Sequence, residues 1–121
     1  MANLVAGAEA QLRDAGNTSL SPASRFALAY NASHSLALAA LRASGYRPSS
    51  AGHRRILFQV LDATCGAPRE LWMALDRYHE RRNKTAYEGA AAASAVEADD
   101  LAKLAGELQA LVLKSLKRPG A

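Results

Sequence analysis

Between Leu71 and Glu88 the chain concentrates side chains that can do chemistry: Arg77, Tyr78, His79, Arg81, Arg82, Asn83, Lys84 and Tyr87. Arginine offers an oxyanion a planar fork of donors, and lysine offers it a compact point charge. Histidine, with an ordinary pKa of about 6.5, exchanges protons near neutral pH. Leu71, Leu75, Tyr78 and Arg82 are separated by four, three and four residues, so they share one helical face. An apolar stripe that ends in a guanidinium carries that charge to the rim of a core. His79 precedes Arg82 by three residues and falls on the same face.

The charge balance makes this region distinctive. The chain has 121 residues and a net charge of +4, but residues 42–84 carry nine cations against four anions. The segments before and after are close to neutral. A basic middle suits a phosphate backbone or an acidic protein partner. An arginine-rich, simply solvated surface is the plainer alternative.

Other chemistries find no support in the sequence. The three histidines, His34, His53 and His79, are far apart, and no Cys/His pair has ligand spacing, so no metal is expected. No glycine-rich phosphate loop or nucleophile elbow is present, so no cofactor is expected. A lone cysteine, Cys65, allows no intrachain disulfide and suits a reducing compartment. Phe26–Leu41 is the longest apolar stretch, and Asn31, Ser33, His34 and Ser35 interrupt it, which argues against a membrane span. The N-terminus lacks a signal-peptide layout, and a soluble, cytoplasmic protein is expected.

The elements that must position these residues read as all-α: a single-domain bundle of four to five helices, up-and-down in topology. Abundant alanine favours helices, and no alternating Val/Ile/Thr run suggests a sheet. A short helix is predicted over Asn3–Ala15, ended by Gly16-Asn17. Ser19 or Ser21 caps a second helix over Pro22–Ser44, with proline in its first turn. That helix is apolar on most faces and is therefore central. Tyr30 and His34, four apart, share one side and a polar pocket. His53 reads as a surface residue near the start of a third helix, which Ser49 or Ser50 caps and which runs to about Thr64. Ile56, Leu57, Val60 and Leu61 face inward from it. Gly66-Ala67-Pro68 opens the fourth helix, and Thr85–Ser94 reads as a loop or loosely wound segment. A fifth helix over Ser94–Lys117 is amphipathic, with Ser94 and Glu97 matching a capping box.

Three segments, in order, resemble the HEPN superfamily of small helical-bundle proteins. They are Ala29-Tyr30-Asn31-Ala32 with the helix ending in Gly45-Tyr46-Arg47-Pro48; His53 leading into Ile56–Leu61; and Arg82-Asn83-Lys84-Thr85-Ala86-Tyr87 before the long last helix. The resemblance spans residues 22–117. The family's signature is an arginine, a polar residue, three further residues and a histidine. Arg82-Asn83 matches its first half, and Tyr87 stands where the histidine should be.

The resemblance implies a dimer whose two arginines and two histidines converge on one RNA phosphate, as a metal-independent ribonuclease. Tyr87 departs from that chemistry: a phenol with an ordinary pKa of about 10 is ionised in roughly one molecule in a thousand at pH 7 and is a poor base. His79 is the candidate replacement, and Arg77, Arg81 and Lys84 are candidate phosphate contacts. Three functions follow. The first is a dimeric binding or regulatory module for RNA, a nucleotide or a partner protein, with a degenerate ribonuclease motif. The second is an active endoribonuclease of a toxin–antitoxin system, paired with a nucleotidyltransferase-like protein. The third is a helical protein-interaction domain with no nucleic-acid role.

Overall fold

A computed structural model describes residues 2–45, 57–88 and 93–116, with backbone alone at 2 and 84–88. It is all-helical: α1 (Ala2–Ala15), α2 (Pro22–Ser44), α3 (Leu61–Cys65), α4 (Arg69–Glu88) and α5 (Ala95–Leu116). The helix α2 is the central one, packed chiefly against α1 and α5. Its buried alanines, Ala29, Ala32, Ala37, Ala39 and Ala40, let those neighbours approach closely, while Leu36 fills the space between them. Leu101, Leu108 and Val112 of α5 close the core from the other side, all fully buried. The N-terminal helix belongs to this core too, through Ala8 and Ala15.

The helix ends follow local chemistry. Ser21 accepts from the Ser24 N–H at 3.1 Å and Pro22 takes the first position of α2. Gly45 closes that helix at φ 76°, a left-handed conformation that costs glycine nothing. At α5 the capping box forms as expected: Glu97 N–H donates to Ser94 Oγ at 3.1 Å, and Ser94 N–H donates to Glu97 Oε1 at 3.0 Å.

One end of the bundle gathers the end of α1, the starts of α2 and α5 and the C-terminal half of α4. Arg25, itself buried, donates from Nε to the Ala15 carbonyl at 2.9 Å and pairs through Nη2 with Asp99. Phe26 meets the Tyr78 ring edge-on at 5.7 Å, and Arg81 reaches Glu97. With these ends together, successive long helices alternate in direction.

Two boundaries differ from the sequence expectation. From Thr85 to Glu88, where a loop or loosely wound segment is expected, the chain is still α4 helix. Ala86 and Glu88 are good helix formers, and neither glycine nor proline interrupts the chain before Gly89. The expected third helix is not helical over residues 57–60, where the chain turns instead. Leu61 N–H donates to Phe58 O and Ala63 N–H to Val60 O, three residues back in each case. This tight winding buries Leu57 and Phe58 together with Leu61. The remainder of that expected helix, with Ser49, Ser50, His53 and Ile56, lies outside the described residues.

Candidate functional site

The face of α4 that the leucine spacing marks out is built as expected. Leu71 and Leu75 are buried, Tyr78 is half-buried and Arg82 is exposed at the rim. One turn back from Asn83 and three residues before Arg82, His79 enters the same corner. Its partner comes from α2: the Tyr30 hydroxyl lies 2.6 Å from His79 Nδ1. The two ring planes are inclined by 12° with centroids 5.8 Å apart. Phe58, from the turn before α3, backs the imidazole at 5.6 Å. Three elements therefore fix one histidine ring.

The side of α2 that Tyr30 and His34 share also meets α4. Their rings do adjoin, at 6.2 Å, but the Tyr30 hydroxyl is committed across the helix interface to His79. Four-residue spacing along α2 puts Tyr30 and His34 on one side. It carries no information about which element packs against that side.

Arg82 completes the corner. Its guanidinium carbon sits 5.0 Å above the Tyr30 ring centroid, a cation–π distance, while the side chain stays exposed. Burial pushes the Tyr30 phenol above its ordinary value of 10, and the Arg82 charge offsets part of that rise. The phenol is therefore neutral at physiological pH and keeps its proton. Asn83 Nδ2 lies 3.5 Å from His79 Nε2, at the outer limit of a hydrogen bond. The arrangement thus offers an exposed cation, an imidazole and a carboxamide together. That set can hold an oxyanion or exchange a proton with one.

The other candidate residues are arranged differently. Arg81 turns to α5 and forks onto Glu97, with Nε–Oε2 at 3.0 Å and Nη2–Oε1 at 3.3 Å. That hydrogen-bonded pair holds the Glu97 carboxyl below its usual 4.5. Tyr78 donates to Asp100 at 2.6 Å, and its pKa is pushed up to about 12, first by burial and then by the Asp100 carboxylate. Arg77 is exposed and, with Ala74, Tyr78, Arg81, Glu97 and Asp100, lines a groove of about 250 Å³ between α4 and α5. Lys84 and Tyr87 fall on the last turns of α4, and their side chains lie outside the described residues.

Among the described residues no cluster of histidine, cysteine and carboxylate could hold a metal ion. No helix there is long and apolar enough to cross a membrane. Tyr30 and Phe58 are the site residues that spacing along the chain does not reveal. Tyr30 stands out in the sequence as a phenol on a helix otherwise apolar nearly all round, four residues before His34, but neither feature points to His79. Compared with protein-family models, curated proteins and solved structures, the chain matches none.

Proposed function

We propose that this chain is a HEPN-like helical module that works as a homodimer and binds the phosphate of RNA or of a nucleotide. The observation that supports the reading is the corner in which exposed Arg82 stands over Tyr30, beside His79 and Asn83. Its neighbour Arg81 is tied to Glu97, whereas Arg82 rests on a ring face that does not neutralise it. A guanidinium that rests on a ring face, exposed and still charged, keeps its donors open to a phosphate.

A second reading, a metal-independent endoribonuclease, is favoured by one observation: His79 is held rigidly beside Arg82, as a proton-transferring group must be. Incubating RNA with the purified protein in EDTA separates the two. The binding module leaves the RNA intact while retaining it in a filter or anisotropy assay. Cleavage by the wild type that both Arg82→Ala and His79→Ala abolish would establish the enzyme instead. Absence of both binding and cleavage would rule out a nucleic-acid role.

A further inference from the structure

A neutral imidazole carries one proton on either of two nitrogens, and what it can do depends on which. At His79 the two nitrogens have unequal partners. Nδ1 meets the Tyr30 hydroxyl at 2.6 Å, a short bond partly withdrawn from solvent. Nε2 meets Asn83 only at 3.5 Å, and a carboxamide can present either its oxygen or its nitrogen by a half-turn. The short bond therefore decides the tautomer.

Two features fix the direction of that bond. A phenol is a strong donor and a weak acceptor, since its oxygen lone pair is delocalised into the ring. The Arg82 guanidinium lies 5.0 Å over that same ring, drawing electron density from it and strengthening the O–H as a donor. Burial keeps the phenol protonated, which preserves the donor.

We infer that Tyr30 is a positioning residue of the site: it donates to His79 Nδ1 and fixes the imidazole proton on Nε2, where the N–H joins Arg82 as a donor to an anion. The ligand class that such a pair of donors suits is a phosphate with two free oxygens, one for the guanidinium and one for the imidazole N–H. In this state Nε2 has no lone pair to offer, so His79 supplies a hydrogen bond and is not a resting base. The ligand half of the inference rests on the phosphate reading above. The tautomer half does not.

Histidine-selective ¹⁵N labelling with a long-range proton–nitrogen correlation tests it at about pH 8.5, some two units above the ordinary histidine pKa. The expected spectrum shows His79 protonated at Nε2 and bare at Nδ1. Tyr30→Phe keeps the ring under Arg82 and removes only the hydroxyl. Its His79 Nδ1 signal is expected to shift towards the protonated position as the two tautomers mix. Inorganic phosphate is expected to move the Nε2–H signal in the wild type and not in Arg82→Ala. A wild-type His79 protonated at Nδ1, or His79 signals unchanged in Tyr30→Phe, overturns the positioning role. The stated tautomer with a signal indifferent to phosphate upholds that role and overturns the phosphate reading.

Discussion

Arg81 and Arg82 are adjacent in sequence and chemically alike, yet α4 turns them to different work. A step of one residue is about 100° around a helix, so Arg81 faces α5 and its carboxylates while Arg82 faces α2 and the Tyr30 ring. The pairs along the α4–α5 seam give stability a defined dependence on pH. Glu97 has a folded pKa below its ordinary 4.5. Its contribution is complete above about pH 4.5 and is lost as pH falls through the folded value. Tyr78 behaves in the opposite sense, keeping its proton to about 12 where the unfolded phenol ionises near 10. That contribution is complete below pH 10 and declines as pH rises from 10 to 12. Urea midpoints measured across pH should therefore show a flatter acid limb in Glu97→Gln and a flatter alkaline limb in Tyr78→Phe. Identical limbs in variant and wild type would show that these pairs do not couple to folding. The sequence disclosed the chemistry of α4 but not its partners: Tyr30 lies 49 residues from His79, and no local spacing encodes their pairing.

At the scale of elements, the features legible in the sequence were those with a local cause. Proline after serine began α2, glycine ended it, and Ser94 with Glu97 began α5, each where the residues placed it. Ser94→Ala removes one half of the capping box and is expected to cost about 1 kcal/mol, read as a lower urea midpoint with unchanged slope. The segment before α3 departs from the expected helix because its winding is set by what it must bury. Leu57 and Phe58, adjacent in the chain, both enter the core, and a turn accommodates them. Arg25 is a second case. Its place on an apolar helix gave no hint that it would bind the last carbonyl of α1 and reach Asp99. Arg25→Met keeps most of the buried stem and leaves the Ala15 carbonyl without that donor. The expected loss is about 1–3 kcal/mol, the usual penalty for stranding a buried polar group. A loss no larger than that of an exposed substitution would mean that water replaces the arginine.

For the whole molecule, an alanine-rich central helix packed between α1 and α5 yields a core of small residues around Leu36, Leu101 and Leu108. The all-α class was legible because alanine content and the three-and-four spacing agree with each other along the chain. The candidate site was legible only in part, since it is assembled from α4, α2 and the turn before α3. The homodimer of the proposed function belongs to this scale. A domain of this size gains by burying more apolar surface, and Val96 at the start of α5 is 77% exposed. Size-exclusion light scattering at micromolar concentration is expected to give twice the chain mass of 12.8 kDa. A monomer there would contradict the dimer. The central claim, that Arg82 grips a phosphate, is tested most directly by anisotropy of a labelled single-stranded RNA titrated over a series of salt concentrations. Binding by the wild type should weaken with salt, and Arg82→Ala should bind more weakly, with its log–log slope shallower by about 0.7 for each phosphate that the arginine neutralises. Equal affinity and equal slope in the two proteins would contradict the claim.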